Sequence, residues 1–182
     1  TGTLTLNDGA AYTRLPTVTL SLTAEDETTV THMRFSNNGA NWGDWEAYAM
    51  QKTRVLESSD GLKGAYVQFR DVAQNISKPL SDTILLDTIP PTGTLSINEG
   101  ITTTEQSSVT LRLTALDYGS GVCDMQLRNV GATWSPWQSY VTPIEWDLQP
   151  GSGKRAVDAR FRDCAGNISD SLEDTIEVLY SL

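Results

Sequence analysis

"VTLSLTAED" (18–26) and "VTLRLTALD" (109–117) are the same segment written twice, 91 residues apart. In the first, Val18, Leu20, Leu22 and Ala24 alternate with Thr19, Ser21 and Thr23. In the second, Val109, Leu111, Leu113 and Ala115 alternate with Thr110, Arg112 and Thr114. Side chains two apart point to the same side of an extended chain, so each segment reads as a strand with one buried and one wet face.

The repetition extends outward from these strands. "TGTLTLNDG" from Thr1 returns as "TGTLSINEG" from Thr92 at the same spacing. One extra residue enters in "DYGSGV", and from there the spacing is 92. Met33 then matches Met125, and "FRDVAQNIS" from Phe69 matches "FRDCAGNIS" from Phe161, through to "DTI" at Asp82 and Asp174. Two domains are expected, at 1–89 and 90–182. In the junction "LDTIPPTG" (86–93) the two prolines fix φ and exclude helix, which predicts a semi-rigid spacer and an end-to-end rod.

Within each copy further strands are predicted near 4–6, 33–35, 65–71 and 83–86, with their counterparts, separated by clusters of Gly, Asn, Asp, Ser and Pro. No stretch carries a long helical apolar stripe. About seven short strands in some 90 residues make an antiparallel β-sandwich, so the fold class is all-β with two tandem sandwiches.

At 38% apolar and 20% charged residues the chain has the composition of a globular protein, and no apolar run reaches the roughly 18 residues of a spanning helix. It opens on Thr1 without Met or an apolar leader, which predicts a processed or excised piece. A formal charge of −10 with 13 scattered Lys and Arg argues against nucleic acid and anionic lipid as partners.

The pattern "AxD…GV…M…SNxGxxWxxW…Y", followed by "FRDxAxNIS…DTIxLDTxPP", resembles the tandem immunoglobulin-like or fibronectin type III-like repeats of large bacterial and archaeal surface and secreted proteins. It covers both copies almost end to end. The resemblance implies an extracellular setting, and protein partners or further copies of the chain. Copy one departs from the pattern by carrying Gln74 where copy two has Gly166, which puts in doubt any left-handed turn there.

Cys123 and Cys164 both fall in copy two, while copy one has Thr31 and Val72 at the matched positions. In an immunoglobulin-like sandwich the two cysteines flank the C and F strands, antiparallel neighbours, which implies a disulfide and an oxidising compartment; two buried thiols are the alternative. Loops of the "DxxGN" kind in the resembling repeats imply Ca²⁺ as an optional ligand, with Asp26, Asp71, Asp87, Asp117 and Asp163 as the oxygen donors. Asx turns, in which Asp bonds its own backbone, explain the same residues without a metal and are favoured. No cofactor is required by either reading.

Trp42, Trp45 and Tyr48 in copy one, and Trp134, Trp137 and Tyr140 in copy two, are spaced three apart. They form either stacking surfaces for sugar rings or part of the core wall. Spacing of i, i+3, i+6 alternates faces in an extended chain, and aromatics mostly lie inside, so the wall is favoured. The lone His32 is matched by Asp124, which rules out a His-based triad or metal cluster, and "GSGK" (151–154) lacks the frame of a phosphate loop. Asn75-Ile-Ser77 and Asn167-Ile-Ser169 match the glycosylation sequon, but the same Asn suits the turn. These observations point to a non-catalytic extracellular spacer, adhesion or assembly module. Carbohydrate binding through the tryptophans is the alternative, and an accessory domain of a larger secreted enzyme a third reading.

Overall fold

A computed structural model describes residues 1–179; the last three residues of the expected second domain lie outside the described residues. The chain divides into two compact units, Thr1–Thr88 and Ile89–Leu182. Each is an all-β sandwich of a three-stranded and a five-stranded sheet.

Unit 1 runs β1 (Gly2–Leu6), β2 (Tyr12–Thr13), β3 (Thr17–Ala24), β4 (Val30–Ser36), β5 (Glu46–Ala47), β6 (Gln51–Val55), β7 (Gly61–Asp71) and β8 (Leu80–Leu86). Its sheets are ordered β1-β3-β6 and β2-β8-β7-β4-β5. Unit 2 repeats the order with β9 (Thr92–Ile97), β10 (Thr103–Thr104), β11 (Ser108–Leu116), β12 (Val122–Asn129), β13 (Gln138–Ser139), β14 (Ile144–Asp147), β15 (Gly153–Asp163) and β16 (Leu172–Val178). Its sheets are β9-β11-β14 and β10-β16-β15-β12-β13. Pairing is antiparallel except where β2 joins β8 and β10 joins β16 in parallel. Among the described residues each unit has eight strands against about seven expected; β2, β5, β10 and β13 are two residues long and too short to show a period.

The alternation predicted in β3 is observed: Val18, Leu20 and Leu22 are buried, and in β11 so are Val109, Leu111 and Leu113. They meet Met33, Val67, Phe69 and Ile84 from the facing sheet in unit 1, and Met125, Leu127, Val157, Phe161 and Ile176 in unit 2. One buried contact crosses between sheets through a charged group. The Leu6 N–H donates to Asp82 Oδ2 at 2.8 Å, and the Ile97 N–H donates to Asp174 Oδ2 at 2.8 Å. Leu6 and Ile97 end the first strand of each unit and are fully buried, so water cannot replace that acceptor. Asp174→Ala orphans a buried N–H, and chemical denaturation followed at unit 2 is expected to show a loss of about 1–3 kcal/mol.

The β4–β7 ladder shifts register between Val30 and His32, and the β12–β15 ladder between Val122 and Asp124. A bulge re-aims the side chain of its extra residue. In unit 2 that residue is Cys123, and it bonds to Cys164, just past the end of β15, with 5.1 Å between Cα atoms. In unit 1 the bulged residue is Thr31, whose hydroxyl donates to the Arg70 carbonyl at 3.3 Å.

Candidate functional site

The aromatic segments separate into two kinds of contact. Tyr48 packs on the core of unit 1 and meets Phe69 edge-to-face at 5.8 Å between centroids; Tyr140 does the same with Phe161 at 5.7 Å. For the tyrosines the wall expectation holds.

For the tryptophans it does not, because they sit on the opposite, outer face of the five-stranded sheet. The cause is local. Past β4 the chain turns back along the strand, pinned by Gly43 N–H to the Phe35 carbonyl and Tyr48 N–H to the Thr31 carbonyl, each at 2.9 Å. This return lays Trp42 and Trp45 over the side chains that point away from the core. Arg34 lies 5.2 Å from the Trp42 ring and 4.6 Å from that of Trp45, and Arg70 stands 4.6 Å from Trp45. In unit 2, Arg128 and Arg160 each lie 4.4 Å from Trp134, with Arg160 5.4 Å and Arg162 4.4 Å from Trp137. All four indoles are half-buried. Each guanidinium–indole contact contributes roughly 0.5–1 kcal/mol at an exposed site.

These arginines were not singled out from the sequence, and the repeat conceals one of them. Arg34 of β4 pairs with Gln68 of β7, whereas in unit 2 the cross-strand partners are exchanged: Gln126 on β12 and Arg160 on β15. The bidentate bond survives the exchange, with Nε and Nη2 donating to the Gln Oε1 at 2.9 and 2.7 Å in both units. The guanidinium therefore reaches the same indoles from either strand. The available signal was the outward register of Arg34, Arg70, Arg160 and Arg162 beside the Trp-x-x-Trp loops.

The acidic residues build turns. Asp71 accepts from Asn75 N–H at 2.8 Å and Asn75 Nδ2 at 2.7 Å, and the Thr28 hydroxyl lies 2.8 Å from Asp71 and 2.9 Å from Asp26. Asp163 accepts from the N–H groups of Gly166 and Asn167 at 2.6 and 2.7 Å and from Asn167 Nδ2 at 2.7 Å. Asp117 accepts from Gly119 and Gly121 N–H at 3.2 and 2.7 Å, and its carboxylate lies within 4.8 Å of that of Asp163. Asp87 follows β8 and donates its N–H to the Thr13 carbonyl at 2.9 Å.

The turn placed in doubt by Gln74 is kept. Gln74 adopts φ 70°, where Gly166 has φ 97°, and donates its N–H to the Asp71 carbonyl at 3.2 Å. The Asp71–Asn75 bonds hold the loop closed around a residue that itself disfavours the left-handed region. Gln74→Gly relieves a conformational cost of roughly 1 kcal/mol, and the unit 1 melting midpoint is expected to rise.

Hydrogen bonds from Asn75, with that of Thr28, hold the Asp71 carboxyl below its usual 3.8 at about 2. The folded state therefore binds its proton less tightly than the unfolded chain. The stabilisation is complete above about pH 4 and disappears as the pH falls through 2. Residue-resolved hydrogen exchange of the full chain should show unit 1 weakening across that window, and Asp71→Asn should flatten the response.

No protein-family model matches the sequence, and no curated protein is a match. Among solved structures, the fibronectin(III)-like modules of CbhA from Clostridium thermocellum align over 98% of this chain and 94% of theirs, with a TM-score of 0.59 and 14% identity. The chicken CNTN1 FN1-FN3 domains align over 94% of this chain and 66% of theirs, with a TM-score of 0.49 and 12% identity. The D00-D0 domain of intimin aligns over 98% and 100%, with a TM-score of 0.42 and 10% identity. At such identities the likeness is one of fold, and the first structure carries it: the chain is a tandem pair of immunoglobulin-like, fibronectin III-like sandwiches.

Proposed function

We propose that the chain is a non-catalytic structural module of an extracellular or cell-surface protein, acting as a spacer, adhesion or assembly unit. One observation carries this reading. In both units the chemically distinctive side chains engage partners of their own unit, the indoles with guanidiniums on the outer sheet face and the turn carboxylates with asparagines of their own loops. The Cys123–Cys164 disulfide suits an oxidising compartment. The junction prolines Pro90 and Pro91 suit a spacer.

Sugar binding is the second reading, favoured by the outer-face position of Trp42, Trp45, Trp134 and Trp137. Stacking on a sugar needs a free indole face, and the arginines flank those faces. Acrylamide quenching of tryptophan fluorescence across a panel of polysaccharides separates the two. Unchanged quenching is expected; shielding by one polysaccharide would replace the structural reading with a binding one. Calcium is tested in the same samples by melting. A midpoint raised by Ca²⁺ and restored by chelator supports it, and coincident curves overturn it.

A further inference from the structure

In unit 1 a pocket of about 300 Å³ has Phe35, Asn37, Asn38, Asn41, Gly43 and Arg54 in its lining. Phe35 comes from β4 of the five-stranded sheet and Arg54 from β6 of the three-stranded one. Both are on the core side: Phe35 is buried, and Arg54 is the ladder partner of buried Val18. Lys52, on the same side of β6, is paired with Glu46 at 3.0 Å. Arg54 instead lies 4.8 Å from the Phe35 ring and, among the described residues, makes no hydrogen bond and no ion pair. A guanidinium held against a ring keeps its N–H edge for a planar acceptor. Asn38 Oδ1 accepts from the Ser36 hydroxyl at 3.0 Å and from the Ala40 and Asn41 N–H groups at 2.9 Å each. Its NH₂ group, and the side-chain amides of Asn37 and Asn41, make no hydrogen bond among the described residues.

The internal repeat shows how the other unit treats the same place. Val18 pairs with Arg54 and Val109 with Trp146, so Arg54 is matched by Trp146. Asn37 is matched by Asn129. The Trp146 ring packs against the core of unit 2, and its Nε1–H donates to Asn129 Oδ1 at 3.3 Å. Asn129 Nδ2 donates to the Asp147 carbonyl at 3.0 Å, so both ends of that amide are engaged. Unit 1 keeps the asparagine and exchanges the ring for a cation.

We propose that this pocket binds a hexuronate, a sugar ring that bears a carboxylate. Arg54 takes the carboxylate through its planar N–H edge, and the amides of Asn37, Asn38 and Asn41 bond the ring hydroxyls. The volume is at the small end for ligand sites and suits one sugar residue. A carboxylate on a peptide side chain would engage Arg54 and leave the three amides idle. The pocket is on the core side of the strands, whereas Trp42 and Trp45 lie on the outer face, so the site is separate from sugar stacking on the indoles and goes beyond the structural role proposed above.

The test is an NMR titration of the full chain with glucuronate and galacturonate, with glucose and galactose as their neutral counterparts and acetate as the carboxylate alone. Saturable shifts are expected with a uronate at the Asn37, Asn38, Asn41 and Gly43 amides and at the Arg54 Nε–H, with binding about tenfold or more weaker for the neutral sugars and for acetate, the scale of losing hydrogen bonds to a charged group. Arg54→Gln should abolish the shifts, and so should Arg54→Trp, which copies Trp146 of unit 2. The proposal is overturned if neither uronate shifts these resonances or if the shifts persist in Arg54→Gln. Acetate binding as tightly as the uronates would also overturn it, since the site would then read a carboxylate of any source, an acidic peptide included.

Discussion

Replacing Cys123 and Cys164 by Thr and Val, the residues that unit 1 carries at Thr31 and Val72, is expected to lower the stability of unit 2 by about 4 kcal/mol while unit 1 melts unchanged. The magnitude follows from the closed loop: the cysteines are 41 residues apart, and releasing a loop of that length returns roughly 13 cal/mol/K of entropy to the unfolded chain. The native state loses little in exchange, because the β4–β7 ladder makes the same bulge with no bond across it. The measurement is differential scanning calorimetry with amide resonances assigning each transition. For a domain of this size the midpoint should fall by roughly 20 °C. Chemical reduction of the native chain should reproduce the effect, and a unit 2 transition indifferent to both treatments would mean that packing alone holds it.

Phe161→Ala is expected to cost unit 2 about 3–5 kcal/mol, the second large effect. Phe161 is fully buried, faces Tyr140 edge-on, and pairs across the ladder with Met125. Its ring also explains a glycine. A Cβ at Gly93 would come within 2.6 Å of the Phe161 ring and also press on the Thr114 carbonyl of the neighbouring strand. Gly93 is thus required by close approach, and Gly2 holds the matched place beside Phe69 and the Thr23 carbonyl. Two variants test this geometry. Gly93→Ala should destabilise by about 1–3 kcal/mol through overpacking. Combined with Phe161→Ala it should cost less than the sum, since removing the ring removes part of the clash. Strict additivity in denaturant titrations would show that the ring and the glycine are independent.

Much of this molecule was legible before any fold was drawn. The repeat, the two-residue period of β3 and β11 and the turn carboxylates are consequences of local pattern, whereas the pairing of Cys123 with Cys164 was implied by the resemblance to immunoglobulin-like sandwiches. Side-chain alternation and turn chemistry act over a few residues and leave a direct trace in the sequence. The short edge strands left none, since two residues have no period. The turn at Gln74 was misjudged for a related reason: the Asp71–Asn75 bonds that impose it outweigh the preference of the residue itself.

The tryptophans mark the boundary between the two kinds of information. Their spacing, read along an extended chain, sets Trp42 with Tyr48 on one face and Trp45 on the other, whereas both indoles lie outside together and Tyr48 alone packs on the core. That was decided by a return of the chain beside β4, which sends the tyrosine to the core and both indoles to the guanidiniums outside. Sequence by itself determined two sandwiches with their buried faces, because burial follows from periodicity along one strand. The arginine–tryptophan ladder was decided only by tertiary structure, because it joins residues of two strands and a loop, and an Arg–Gln pair exchanged between strands preserves the contact while erasing its trace from the aligned repeats.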